Sequence, residues 1–146
     1  MGIFCRIRRV SSSDEIDFDK NWDFVHFALT ERTSEDELDR DDPDPLGFIG
    51  DDRLGAPRGE DLGFGPGRLF FADDAVRIAD ALDALDETAI TSRLESSAIT
   101  QCYPCNEAVP RLSATEVELV RDLLNQLRTF VRACVAAHDG FVVEMY

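Results

Sequence analysis

Lys20, Trp22, His26, Asp61, Arg68 and Tyr103 are the side chains whose types would equip a small pocket. A carboxylate such as Asp61 can serve as a base, an imidazole such as His26 as an acid, and Lys20 and Arg68 as clamps on an anion. The set centres on the run Glu60-Asp61-Leu62-Gly63-Phe64-Gly65-Pro66-Gly67-Arg68-Leu69-Phe70-Phe71. Its glycines permit positive φ and close backbone approach, while Pro66 fixes one φ near about −65°. Arg68, just after this turn, can meet an anion together with backbone N–H groups. The run is not a phosphate loop: it lacks Gly-Lys-Ser/Thr and does not follow the Gly-x-Gly-x-x-Gly spacing between a strand and a helix. The structural alternative has Asp61 and Arg68 paired across the turn and Trp22 and His26 in the core.

Cys102-Tyr103-Pro104-Cys105 has the spacing of a redox pair or of half a zinc site. A redox pair needs a strand before it and a helix after it. Here Ala98-Ile99-Thr100 is a poor strand and Pro110 arrives five residues after Cys105. The other candidate zinc ligands, Cys5, Cys134, His26 and His138, lie singly, so the thiols read as incidental and partly buried. There is no Gly-x-Ser-x-Gly elbow and no His-Glu-x-x-His helix, and two histidines are too few for a His-rich metal site. No catalytic residue, cofactor or metal is assigned. His138 is expected in the last turn of the final helix, where its cationic form suits the dipole.

The formal net charge is −15, unevenly spread. Residues 1–10 hold three arginines and no acid, residues 11–61 hold 17 acids against 5 bases, and residues 62–146 hold 13 against 7. This balance argues against nucleic acid and anionic membranes, both of which are bound through Lys and Arg. A basic protein partner would be steered in by such a field. Glu35, Asp36, Glu37, Asp39, Asp41, Asp42 and Asp44 form the candidate surface, against the plainer reading of a solvated face that maintains solubility. No segment reaches the 18 or so apolar residues of a membrane span. Arg8-Arg9 is followed by Val10-Ser11-Ser12-Ser13 rather than an apolar stretch, so no signal peptide is read. The expectation is a cytosolic protein with reduced cysteines.

The elements that must position these residues are legible in outline. Ile3 to Val10 alternates as a strand. Trp22, Val25, His26 and Leu29 share one face of a helix over about Asp19 to Thr30. Residues 31–61 carry Pro43, Pro45 and Pro57; Leu46–Gly50 and Arg53–Gly55 look like short strand-and-turn pieces, and Glu35–Asp44 like a mobile loop. Leu69–Phe71 reads as a brief strand, and Asp73 opens a helix to about Asp86 with Val76, Ala79, Leu82 and Leu85 inward. A shorter helix follows over Glu87–Leu94, with Ile90 and Leu94 inward, and Ser96–Pro110 is irregular. Ser113-Ala114-Thr115-Glu116 is a capping box. The long helix it starts has a stripe of Val117, Val120, Leu124, Leu127, Val131 and Cys134, and Asp139-Gly140 stops it. Phe141–Tyr146 is a strand suited to the sheet interior beside the first. The class is α+β: a single domain, with a small mixed sheet that includes both terminal strands and three to five helices packed on it.

The order of motifs resembles the YfbM-like family of small bacterial proteins, which has no assigned function. Met1-Gly2-Ile3 leads a strand ending Arg9-Val10-Ser11, and Asp19-Lys20-Asn21-Trp22 opens a helix with His26 and Leu29-Thr30. Leu54-Gly55 precedes the Gly-rich run, and Tyr103-Pro104 precedes the last helix. The resemblance covers nearly all of residues 1–146 as one YfbM-like domain. It implies an α+β fold and a bacterial cytosolic setting, and it lends no reaction. Two departures stand out. Relatives carry a longer helical segment before Asp-Lys-x-Trp, where this chain has only about eight residues after Ser11, so the first helix is expected to be missing or reduced. An aromatic usually follows the Tyr-Pro pair, where here Cys102 and Cys105 flank it.

The favoured functional expectation is a non-catalytic interaction protein with an acidic docking surface, an immunity-type neutraliser of a basic toxin being one concrete form. The alternative is a small-ligand binder or enzyme using a pocket at the Gly-rich turn.

Overall fold

A computed structural model describes residues 2–39, 41–103 and 111–146. Five strands form one sheet in the order β2-β1-β5-β4-β3, where β1 is Cys5–Arg9, β2 Glu15–Asp19, β3 Ala56–Asp61, β4 Pro66–Phe70 and β5 Phe141–Met145. Every pairing is antiparallel, so the sheet is not mixed. Two of the four pairings follow from their connections: β1–β2 and β3–β4 are hairpins, and such turns join only antiparallel neighbours. The C-terminal strand occupies the centre, with Ile7 opposite Val143 on one side and Arg68 opposite Val143 on the other.

Glu15–Asp19 is a strand, not a shortened helix. Ile16 and Phe18 alternate inward against exposed acids, which is the period of two that a half-buried edge strand requires. Asp19 takes a left-handed φ of 53°, and helix α1 (Trp22–Thr30) begins three residues later. All nine of its residues are buried. Helix α2 (Ser34–Glu37) lies within the stretch read as a loop, capped by Thr33, whose hydroxyl accepts from the Asp36 N–H at 3.1 Å. Leu46–Gly50 is not a strand either. Pro45–Gly47 is a 3-10 turn whose leading Asp44 accepts from the Leu46 N–H at 2.9 Å, and it carries Phe48 and Ile49 into the core.

Helix α3 (Ala72–Asp83) buries Ala75, Ile78, Ala79 and Leu82, a regular i, i+3, i+4, i+7 stripe. Val76, placed inward by the sequence reading, lies off that stripe and is 43% exposed. Asp86 is not in this helix; it caps α4 (Glu87–Glu95), accepting from the Thr88 N–H at 2.9 Å, and Ile90 and Leu94 are buried as expected. Ser97–Gln101 is a second 3-10 turn. Helix α5 (Ala114–Ala136) opens on the capping box, in which Ser113 Oγ accepts from the Glu116 N–H and Glu116 Oε1 from the Ser113 N–H. It buries Val120, Leu123, Leu124, Leu127, Phe130, Val131 and Cys134. His138 lies beyond the helix cap Ala137, at φ 52°, so it is not in the last turn. At Gly140 a Cβ would lie 2.3 Å from the Phe70 carbonyl oxygen, which restricts this entry to β5 to glycine.

The helix-covered face of the sheet meets α5 through a ring cluster. Phe141 stacks on Phe70 at 5.1 Å and meets Phe48 and Phe130 edge-on at 5.7 and 6.0 Å. On the opposite face Glu144 accepts from Arg8 Nε at 2.6 Å and Arg6 Nε at 3.1 Å. The outer strand β3 contains Pro57, and its pairing with β4 shifts register between Arg58 and Asp61.

Phe141→Ala removes the ring shared by three neighbours and should cost about 3–5 kcal/mol in urea unfolding. Glu144 gives a pH effect. Burial pushes its carboxyl up, but the hydrogen bonds and charges of Arg8 and Arg6 more than offset this and hold it below the ordinary 4.5. A carboxyl with a depressed folded value adds stability that is complete above its unfolded pKa and is lost as pH falls through the folded one. Glu144→Gln should therefore flatten the loss of stability below about pH 4.5 in urea unfolding at stepped pH.

Candidate functional site

The six candidate pocket residues fall into four places, with no hydrogen bond or ion pair joining the groups among the described residues. Lys20, Trp22 and Tyr103 gather around the start of the chain. The Ile3 N–H donates to Tyr103 Oη at 2.8 Å, and Trp22 Nε1 donates to the Ile3 carbonyl at 3.0 Å. The two rings stack at 5.8 Å. The Lys20 ammonium sits 5.5 Å from the centre of the Phe4 ring. Next to Trp22, buried Asp23 accepts from the Tyr103 N–H at 3.0 Å and the Ser34 N–H at 2.9 Å. Burial raises its carboxyl despite these bonds. The cluster ties the N-terminal segment, α1, the start of α2 and residue 103 together.

Asp61 stands at the tip of the β3–β4 hairpin. One carboxylate oxygen accepts from the Gly63 N–H at 2.7 Å and the Gly65 N–H at 3.0 Å. Gly63 and Gly65 have φ of 121° and 97°, which only glycine adopts without strain. The run is thus a hairpin turn held by an Asx-type bond. Asp61 does not pair with Arg68, because strand alternation turns Arg68 onto the helix-covered face.

Arg68 is 92% buried, at 8% exposure. Nη1 donates to the carbonyls of Asp51 at 2.7 Å and Leu54 at 3.2 Å, and Nη2 to Ile49 at 2.7 Å. The guanidinium thereby fixes residues 49–54, a stretch without regular structure. Burial lowers its pKa. Beside it Arg53 grips the fully buried Asp51 carboxylate through Nε at 2.9 Å and Nη2 at 2.8 Å, and Nη2 also donates to the Glu37 carbonyl. Burial pushes the Asp51 carboxyl up, but Arg53 more than reverses this, holding it below the usual range. Neither Asp51 nor Arg53 is singled out by motif; the signal was an Asp-x-Arg inside a Gly-flanked loop, Gly50-Asp51-Asp52-Arg53-Leu54-Gly55.

His26 lies fully buried on the other side of this loop, and neither ring nitrogen has a partner among the described residues. It is packed so closely that a Cβ at Gly50 would lie 2.8 Å from Nδ1. An acid role would need access to a substrate, which this burial denies.

Under the hairpin, between its tip and residues 50–55, is a cavity of about 220 Å³. Gly50, Asp52, Phe64, Pro66, Arg68 and Met145 are among its walls. Of the candidate set only Arg68 reaches it. A concave space beneath the Gly-rich turn is therefore present, without Lys20, His26, Asp61 or Tyr103.

Of the candidate acidic surface, Glu35, Asp36, Asp39, Asp41 and Asp42 are exposed. Asp44 is half-buried and caps the 3-10 turn. Glu37 is a correction: its side chain is fully buried, with Oε1 facing Gly47, so it offers nothing to a partner. The sulfur residues are equally unlike a reactive pair. Cys5, Cys102 and Cys134 are buried, and burial pushes the Cys5 thiol up to about 12 and the Cys134 thiol to about 11. Cys105 lies outside the described residues, and a 3-10 turn rather than a strand precedes Cys102. Among the described residues no group of three or more His, Cys, Asp or Glu could hold a metal ion, and no helix is long and apolar enough to cross a membrane.

Burial holds the His26 ring neutral, lowering its pKa from 6.5 to about 4, with Asp51 and Asp44 pulling the other way and Arg68 with it. The unfolded chain takes up the proton first as pH falls, so this residue's contribution is whole above 6.5 and gone by about 4. Stability should fall by about 3 kcal/mol across that window from this group. His26→Leu should remove that part of the slope in urea unfolding between pH 7 and about 4.

The family model described as a domain of unknown function (DUF1877) matches residues 6–143. A comparison with curated proteins finds no match. Among solved structures, the chain is similar to a protein of unknown function, YfbM from Escherichia coli. The two are 17% identical, with a TM-score of 0.74 over 98% of this chain and 99% of that one. At that identity the likeness shows the fold alone: one α+β domain with both terminal strands in its sheet. With the family model matching almost end to end, the chain belongs to the DUF1877 family, the YfbM-like domains of unknown function.

Proposed function

We propose that this chain is a non-catalytic bacterial interaction protein that docks a basic protein partner on the acidic surface around residues 35–42. An immunity-type protein that neutralises a basic toxin is its concrete form, and a cytoplasmic setting is part of the reading.

The supporting observation is how densely acids without an ion pair are grouped. In the helical half Asp74 meets Arg77, Asp83 meets Arg132, and Glu87 meets Arg121 and Arg128, while exposed acids there without an ion pair among the described residues, such as Asp73, Asp80, Glu95 and Asp122, are spread along the chain. Glu35, Asp36, Asp39, Asp41 and Asp42 are exposed and form no ion pair among the described residues. Uncompensated charge of one sign repels itself and destabilises the compact state, while it accelerates encounter with an opposite charge. Five such side chains lie within eight positions, on a segment anchored beneath by Asp23 and Arg53. The candidate catalytic groups support the same reading, since His26 is sealed and Lys20, Asp61 and Arg68 lie apart.

The test is affinity capture followed by co-expression with the captured protein. A cognate basic partner should bind about tenfold more weakly on moving from 50 to 200 mM salt, in keeping with screened charge. Asp36→Asn, Asp39→Asn, Asp41→Asn and Asp42→Asn together should abolish capture and growth rescue without lowering Tm, since they relieve like-charge repulsion. A partner that binds this quadruple variant as tightly as the parent would overturn the reading.

A further inference from the structure

We infer that the cavity beneath the β3–β4 hairpin is a binding site for a small organic monocarboxylate, held by the unused edge of the Arg68 guanidinium. This site is separate from the acidic surface, and either can exist without the other.

A guanidinium has five N–H donors. Three of those on Arg68 go to the Ile49, Asp51 and Leu54 carbonyls. One on Nε and one on Nη2 have no protein acceptor among the described residues. Nε and the nearer Nη present two parallel N–H bonds, the geometry that matches both oxygens of one carboxylate.

The charge argues the same way. Burying a cation is costly unless an anion meets it, and carbonyl dipoles alone leave its net charge in place. Among the described residues no carboxylate forms an ion pair with Arg68. Asp51 is near but gripped by Arg53, and Asp52 is exposed at the cavity's rim. The nearby Cys5 stays a neutral thiol, because burial pushes it up to about 12. Arg68 is therefore a buried cation on the wall of a hollow whose one lining acid, Asp52, makes no ion pair with it.

The walls select the rest of the ligand. Phe64, Pro66, Val143 and Met145 are apolar, which suits a short hydrocarbon or aromatic tail. At about 220 Å³ the space holds on the order of seven waters at about 30 Å³ each, so the ligand is small. Asp52 at the rim and a single buried cation disfavour a phosphate dianion.

Wild-type protein would be titrated at constant ionic strength with benzoate, butyrate, the neutral amides benzamide and butyramide, and inorganic phosphate. Amide NMR shifts and Tm would be followed. Benzoate or butyrate should give saturable shifts at Gly50, Gly55 and Gly65 and raise Tm, with the matching amide at least about tenfold weaker. Phe64→Ala, an exposed wall that the fold does not need, should weaken carboxylate binding about fivefold. Arg68→Lys should lose binding, and because three loop carbonyls depend on Arg68 its folding would be checked by NMR. The wild-type and Phe64→Ala arms stand without it. Equal binding of acid and amide, preference for phosphate, absence of saturable shifts, or an unchanged Kd in Phe64→Ala would each overturn the inference.

Discussion

The loop of residues 49–54 is held in shape by one buried cation. Residues 48–54 have no ladder or helix to satisfy their carbonyls, yet Phe48 and Ile49 among them are fully buried and Phe48 joins the aromatic cluster. Buried carbonyls left without donors would each cost on the order of 1–3 kcal/mol. Arg68 supplies the donors for Ile49, Asp51 and Leu54 from β4, and Arg53 turns back to hold Asp51 and the Glu37 carbonyl. A strand residue thus does for a loop what neighbouring strands do for one another. The acidic segment, the hairpin and the cavity are all placed by that one contact set.

What the sequence made legible was set by how local its causes are. The capping box at Ser113 and the stripe of α5 need only neighbouring residues, and both are found where expected. The interior strand at the C-terminus was evident from Phe141–Val143, three apolar residues in succession. Strand β2 escaped notice because five residues between a serine run and a helix cap leave room for either reading. Its Ile16/Phe18 alternation is the signal that decides the matter. Val76 was misplaced because a stripe begun one position away also runs through Ala79 and Leu82.

The candidate site was less legible, since its geometry depends on contacts far apart in the chain. Tyr103 meets Ile3 across a separation of 100 residues, and Arg68 meets Ile49 across 19. Nothing near either residue signals its partner. Residue type marked Arg68, Trp22 and Tyr103 as worth attention, but three-dimensional placement assigned Trp22 and Tyr103 to anchoring the start of the chain. Glu37 shows the converse: inside an acidic run it looked like its neighbours, while the one-turn α2 points it inward.

Strand β3 has a further consequence for how copies of the chain meet. An outer strand with free backbone groups is a template for another molecule's strand. Here Pro57 lacks the N–H such a neighbour would use, and the slipped register near Gly59 bends the strand away from a straight line. At the far side β2 presents Glu15, Asp17 and Asp19, which would repel the same strand of a second copy. Both margins of the sheet thus disfavour pairing with a strand of a second copy.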